Sequence, residues 1–134
     1  MKGYIQIYTG NGKGKTTAAL GLALRAAGNG LQVFIGQFVK GKTYSEIQAI
    51  HKFLPHVTLR QYGRAGFIHS KPAAEDIEAA RKGLEHARHM LHESRYDMVI
   101  LDEISIALHF NLFEEQEVLD LLDEKPENTE LILT

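Results

Sequence analysis

Residues Gly10 to Thr17 read GNGKGKTT, a composition that could hold a polyphosphate. They follow an apolar run at residues 4–9, which is typical of a strand, and they lead into an alanine-rich stretch, which is typical of a helix. The glycines let the backbone approach phosphate oxygens closely, and the start of the helix adds positive potential. The strict phosphate-loop pattern has a glycine where this chain has Thr9, so the prediction of a phosphate-binding loop rests on this strand–loop–helix context.

Two side chains of this loop could take part in the chemistry of a nucleotide. Lys15 can supply a mobile positive charge to phosphate oxygens, and Thr16 can supply a hydroxyl to Mg²⁺. The alternative is a glycine-rich turn that carries lysines by chance.

A second acidic element comes later in the chain. The apolar run at residues 98–101 is followed directly by Asp102 and Glu103. A buried parallel strand delivers such residues to the carboxyl edge of its sheet, where ligands of open α/β folds bind. Because Mg²⁺ prefers oxygen ligands, Thr16 and one of these carboxylates are predicted to hold it. The alternative is an exposed acid pair at the end of a strand.

The elements that would position these residues alternate between strand and helix. We expect strands at residues 4–9, 31–39, 57–61, 97–101 and 130–134, and helices at residues 15–27, 45–53, 73–93 and 114–124. This alternation predicts an α/β fold with a mostly parallel sheet flanked by helices, in the RecA-like architecture of phosphate-loop NTPases. One nucleotide-binding domain is expected over residues 1–134.

Composition narrows the classes of partner and compartment. The formal net charge of the 134 residues is −2, so no overall basic excess indicates nucleic acid. No apolar stretch is long enough to span a membrane, and the first residues do not resemble a signal peptide. The sequence contains no cysteine, which excludes disulfides and thiolate chemistry. We therefore expect a cytoplasmic protein with neither a nucleic acid nor a membrane as partner.

Several other residues are weaker candidates. Arg25, within the apolar predicted helix, could reach a nucleotide, contact another subunit or favour the helix C-terminus through the helix dipole. Gln37 and Lys40 follow the second strand at the same sheet edge and could contact a ligand. The histidines at positions 86, 89 and 92 are spaced for a helix, where a zinc site is conceivable but a solvated face is favoured.

Three segments together resemble a known family. The segments TGNGKGKTTAALGLALRAAG, VFIGQFVKG and DMVILDE are similar to the phosphate-loop corrinoid adenosyltransferases of cobalamin biosynthesis. The resemblance implies a transferase that moves the 5′-deoxyadenosyl group of Mg-ATP to Co(I) of a corrinoid, cob(I)alamin or cob(I)yrinic acid a,c-diamide, and releases triphosphate. It also implies that ATP lies in the loop in reversed orientation, with C5′ facing the cobalt.

The resemblance also implies roles for individual residues. Lys15, Thr16 and Glu103 would be the catalytic residues, and Thr16, Asp102 and Glu103 would hold Mg²⁺. Residues implied to bind ATP are Gly10, Asn11, Gly12, Lys13, Gly14, Lys15, Thr16, Thr17 and Arg25.

The corrinoid would lie against the predicted loop at residues 62–72. Relatives with the best-known pattern carry a phenylalanine and a tryptophan two residues apart there, whereas this chain has Phe67 and His69. The resemblance further implies a homodimer and an electron-donating reductase or flavoprotein. Longer relatives continue past the position of Thr134, so we expect the C-terminal part of the family fold to be missing here. The alternatives are a phosphate-loop kinase or ATPase and a catalytically silent nucleotide- or corrinoid-binding protein.

Overall fold

The computed structural model describes residues 1–66, 68, 70–93 and 95–134, in which strands and helices alternate. The strands are β1 (Ile5–Ile7), β2 (Val33–Phe38), β3 (Val57–Tyr62), β4 (Met98–Asp102) and β5 (Glu130–Leu133). The helices are α1 (Lys15–Gly28), α2 (Ser45–Phe53), α3 (Ala74–His92), α4 (Ile104–His109) and α5 (Glu115–Asp123).

The five described strands form one sheet in the order β1-β5-β4-β2-β3, and each neighbouring pair is parallel. This confirms the predicted α/β fold with a parallel sheet. Every residue of β2 and β4 is buried, because helices cover both faces of the sheet. Since all strands run the same way, their carboxyl ends meet at one edge.

Helices form a layer on each side of the sheet. One face packs against α1 and α2, and the other packs against α3, α4 and α5. Alternate residues of each strand point to opposite faces, so Val33 and Ile35 of β2 join the first layer while Phe34 and Phe38 join the second. Small side chains at Ala19 and other positions of α1 allow this helix to lie close to the sheet.

The boundaries differ from the prediction at two places that matter for the site. The fourth strand runs one residue further than expected and includes Asp102, which lies opposite Gln37 in the parallel register with β2. Helix α4 was not predicted at all. It is only six residues long and begins directly after Glu103. No side chain caps its amino end, so the sequence lacks the capping residue that would predict a helix start here.

The turns after β2 and β3 pack backbone against backbone. A Cβ atom on Gly63 would lie 2.7 Å from the backbone nitrogen of Lys40, and one on Gly41 would collide with the backbone of Gly63 and Arg64. Glycine at these two positions therefore permits the close approach that fixes where the chain leaves β2. Within the described part of the chain, no helix is both long enough and apolar enough to cross a membrane.

Candidate functional site

The loop between β1 and α1 has the conformation that its glycines permit. Gly10 has a φ of 137° and Gly14 a φ of 107°, in the region that favours glycine, and Gly14 is the residue before the first turn of α1. The ammonium of Lys15 donates to the carbonyl oxygens of Gly10 and Gly12, at 2.7 Å each. Lys15 thus folds back across the loop, beside the amino end of α1 where an anion would be stabilised.

The remaining loop side chains are open to solvent. Asn11, Lys13 and Thr17 are exposed, whereas Lys15 and Thr16 are partly buried. Ligand contact by the first three residues would therefore require little rearrangement of the protein core.

Asp102 is the centre of the polar network at the carboxyl edge of the sheet. Its side chain is only 1% exposed. Oδ1 accepts hydrogen bonds from the hydroxyls of Thr16 at 2.9 Å and Thr134 at 2.7 Å. Oδ2 accepts from the amide of Gln37 at 3.1 Å and from the ammonium of Lys40 at 3.0 Å. The charge of this buried carboxylate is therefore well compensated.

Three different elements, α1, β2 and β5, bring these donors together. Thr16 lies in the first turn of α1, Gln37 is the register partner of Asp102, and Lys40 follows the end of β2. Thr134 follows β5, the strand next to β4. Thr134 was not among the predicted site residues, and nothing in its local sequence marks it; only the neighbouring position of β5 in the sheet brings it here.

Glu103 has an unusual backbone conformation for a residue other than glycine. Its φ is 63°, in the left-handed region, and its N–H donates to the hydroxyl of Thr134 at 2.9 Å. Burial raises the pKa of the Glu103 carboxyl, the charge of Asp102 raises it further, and Lys40 and Lys15 oppose the rise. Glu103 is thus a partly buried carboxyl within electrostatic range of both lysines.

The oxygen atoms at this edge fit a magnesium ion by their chemistry. Thr16 contributes a hydroxyl, and Asp102 and Glu103 contribute carboxylates, which are the hard ligands that Mg²⁺ prefers. Thr16 and Asp102 are already in direct contact, so one bound cation could reach both.

Two cavities open beside this network. The smaller, of about 130 Å³, lies against Glu103, Gly66, Ile68 and Phe110, and the larger, of about 790 Å³, is a mainly apolar groove between α1 and α2. Lys40 and Tyr44 line both of them. The residues of the larger groove are Thr16, Thr17, Leu20, Gly21, Ala23, Leu24, Lys40, Tyr44, Glu46, Ala49, Ile50, Phe53 and Leu54.

One predicted site residue, Arg25, lies away from this network. Arg25 is exposed near the far end of α1, ten residues after Lys15, which corresponds to roughly 15 Å along a helix axis. Phe67 and His69, the residues predicted to contact the corrinoid, lie outside the described residues.

The three spaced histidines of α3 have different surroundings. His89 and His92 are exposed, whereas the ring of His86 is partly buried, with its Nδ1 2.6 Å from the hydroxyl of Tyr62. Burial and then the charge of Arg60 lower the pKa of His86. The prediction that these histidines lie on a solvated face is therefore correct for His89 and His92, whereas His86 is partly buried. In the portion of the chain that the structure covers, no group of three acidic or histidine side chains could hold a metal.

Known proteins resemble the chain over its whole length. The family of "ATP:corrinoid adenosyltransferase BtuR/CobO/CobP" matches residues 1–134. This chain belongs to that family. Family members are transferases, so the predicted family and enzyme class are both confirmed, as is the link to cobalamin biosynthesis.

Individual corrinoid adenosyltransferases show the same relationship. The chain is 38% identical to the enzyme of Escherichia coli (strain K12) and 35% identical to that of Salmonella typhimurium, over 134 residues in each case. Each alignment covers 99% of this chain and 67% of the relative. Identity to the corrinoid adenosyltransferase of Sinorhizobium sp is 36%, covering 99% of this chain and 64% of that protein. The chain therefore spans about two thirds of the length of these family members.

Proposed function

We propose that this chain transfers the 5′-deoxyadenosyl group of ATP to the reduced cobalt of a corrinoid and releases inorganic triphosphate. The observation that carries the proposal is the 2.9 Å hydrogen bond from Thr16 to Asp102. It joins the phosphate loop to the acidic end of β4 in a chain whose family acts on ATP and corrinoids.

No side chain of the protein needs to form a covalent bond in this reaction. Co(I) is itself the nucleophile: its electron pair forms the bond to C5′, the C5′–O bond breaks, and triphosphate leaves with that bonding pair. The chain must hold the two substrates in line and neutralise the leaving group. Lys15 lies across the loop where it can turn to the triphosphate, and neither a protein nucleophile nor a general base is required.

A magnesium ion fits the same part of the site. Thr16, Asp102 and Glu103 would hold it, and Mg²⁺ would offset the negative charge of the triphosphate when bound. In the reversed orientation of ATP that we propose, C5′ rather than the terminal phosphate faces the cobalt.

The smaller cavity supports the proposed position of the corrinoid. Gly66 and Ile68 line it together with Glu103, so the loop after β3 borders the acidic end of β4. Phe67 and His69 belong to the same loop, and we propose that they form the floor under the corrin ring. The homodimer, the electron-donating reductase or flavoprotein and the single-domain organisation remain predictions.

An anaerobic assay tests this function directly. The protein is mixed with chemically reduced cob(I)alamin and Mg-ATP, the corrin absorption spectrum is followed, and the phosphate product is identified in the same tube. A light-sensitive alkylcobalamin spectrum together with triphosphate is the expected result. Lys15→Ala, which removes the loop cation, serves as the inactive control.

Other outcomes would replace the proposal. ADP and phosphate as products would place the protein with phosphate-loop kinases or ATPases. ATP bound tightly without any turnover would indicate a silent nucleotide- or corrinoid-binding protein.

A further inference from the structure

The ammonium of Lys40 contacts both the hydroxyl oxygen of Thr16 and the carboxylate of Asp102. Its Nζ is 3.0 Å from Oδ2 of Asp102 and 3.2 Å from Oγ1 of Thr16. The Lys40 side chain is 22% exposed, so it is much less open to solvent than a typical surface lysine. A cation of the protein itself thus occupies the place between the loop hydroxyl and the strand carboxylate.

The acceptor sites of the Asp102 carboxylate are already taken by hydrogen-bond donors. A carboxylate has about four lone-pair sites, and the four donors around Asp102 use them. Thr16 gives its single proton to Asp102 and accepts from Lys40. A metal ion that binds the Asp102 carboxylate must therefore displace one of the present donors.

Lys40 is the donor best suited to leave. The Gln37 side chain is completely buried and Thr134 is 2% exposed, so both are held by packing. Lys40 instead has a flexible four-carbon side chain, and its positive charge alone among these donors would repel a metal ion directly. The side chain of Lys40 can therefore move while its backbone, packed against Gly63, stays in place.

We infer that Lys40 competes with Mg²⁺ for Thr16 and Asp102, and that it yields these oxygens only when polyphosphate offers its ammonium a new partner. The inference rests on the proposed function, because it takes Thr16 and Asp102 as metal ligands. Lys40 excludes the metal from the protein alone, and the metal enters together with the nucleotide. The displaced ammonium then contacts the triphosphate, where it helps to neutralise the leaving group.

Binding of Mn²⁺ in the absence of nucleotide tests this competition. The electron paramagnetic resonance signal of free Mn²⁺ measures binding to the parent protein, to Lys40→Met, which keeps the length of the side chain but removes its charge, and to Lys40→Arg, which keeps a charge. Lys42→Met is the matched control, since the Lys42 ammonium lies over the ring of Tyr44 instead.

Removal of one positive charge at hydrogen-bond distance should tighten Mn²⁺ binding by on the order of tenfold or more. We expect this gain in Lys40→Met and not in the parent, Lys40→Arg or Lys42→Met. Mn²⁺ alone should also raise the thermal unfolding midpoint of Lys40→Met but not that of the parent. Addition of inorganic triphosphate should make the parent bind Mn²⁺ tightly, seen as a loss of the free Mn²⁺ signal beyond that of the same Mn²⁺ and triphosphate mixture without protein.

Two results would overturn the inference. One is equal Mn²⁺ affinity in the folded parent and Lys40→Met, and the other is tight Mn²⁺ binding by the parent without triphosphate. Either can occur while the anaerobic assay still yields an alkylcobalamin and triphosphate, so the role of Lys40 can fail while the transferase function stands. Failure of that assay would instead contradict the proposed function, whatever Mn²⁺ does.

Discussion

The hydroxyl of Thr134 donates a hydrogen bond of 2.7 Å to Oδ1 of Asp102. The same hydroxyl accepts the backbone N–H of Glu103 at 2.9 Å. The side chain of Thr134, at the end of β5, thus orients the carboxylate of Asp102 and stabilises the left-handed backbone of Glu103. Thr134 is a positioning residue, since it acts on the site through Asp102 and Glu103.

Replacement of Thr134 by valine should lower the free energy of unfolding and raise the Mg²⁺ concentration that activity requires. Thr134→Val keeps the shape of the side chain but leaves the partly buried N–H of Glu103 and a carboxylate oxygen of Asp102 each short of a partner, at a cost of about 1–3 kcal/mol in the free energy of unfolding. We also expect a higher Mg²⁺ concentration at half-maximal transferase activity. Urea unfolding and a Mg²⁺ titration measure the two effects.

Thr129→Val provides the matched control for Thr134→Val. Thr129 is also buried, but it lies just before β5, and its hydroxyl contacts the carbonyl of Tyr96. This variant should lose stability without a change in Mg²⁺ requirement. An equal shift of the Mg²⁺ midpoint in both variants would contradict a positioning role for Thr134.

Lys15 should be essential for nucleotide affinity. Its ammonium already lies across the loop, and a charged hydrogen bond to a phosphate oxygen contributes enough that Lys15→Ala should weaken ATP binding roughly 10- to 100-fold. Isothermal titration calorimetry measures the change. Lys82→Ala, on the exposed face of α3 and paired with Glu78, should bind ATP like the parent. An unchanged affinity in Lys15→Ala would show that the loop does not hold the phosphates.

Glu103 should control the metal requirement more than ATP affinity itself. Glu103→Gln retains the size of the side chain but removes a charged oxygen, and we expect the Mg²⁺ concentration for half-maximal activity to rise about tenfold or more. ATP binding without metal should change little. Glu78→Gln, on α3, is the control of equal chemistry. Superimposable Mg²⁺ titrations for Glu103→Gln and the parent would exclude Glu103 as a ligand.

The ion pair of Arg64 and Asp76 should make stability depend on pH in the acid range. Arg64 donates two hydrogen bonds to Asp76, at 2.7 and 2.9 Å, and Asp76 accepts the N–H of Ala73 at the start of α3. The hydrogen bond from Arg64 is the main cause that lowers the pKa of Asp76, although burial opposes it. The folded state thus binds a proton at Asp76 less readily than the unfolded state.

The stabilisation that this ion pair gives should be fully present above the ordinary pKa of an aspartate. It should be lost as the pH falls through the lower pKa that Asp76 has in the folded state. Asp76→Asn should therefore cost about 1–2 kcal/mol at neutral pH, from the weakened pair and helix cap. The gap to the parent should narrow as the solution becomes acidic. Urea unfolding from pH 7 downward measures this, and a gap that does not depend on pH would contradict the assigned role.

Features carried by short segments were predictable. The glycines, Lys15 and Thr16 follow one another, so their loop could be recognised without the fold. The strand and helix bounds came within a few residues of prediction because apolar periodicity is local. Helix α4 was not predicted, because six residues carry little periodicity. The residue before it, Glu103, has a left-handed backbone conformation that its residue type does not indicate.

The sequence alone determined the ligand class, the alternating α/β elements and the family. Each depends on residues near one another in the chain, where side-chain type and spacing set the local conformation. Only the tertiary structure decided that Lys40 and Thr134 meet at Asp102, because parallel strands are joined by crossovers, and neighbours in the sheet come from distant segments. In the order β1-β5-β4-β2-β3, β5 lies next to β4, and this position in the sheet brings Thr134, the last described residue of the chain, into the site.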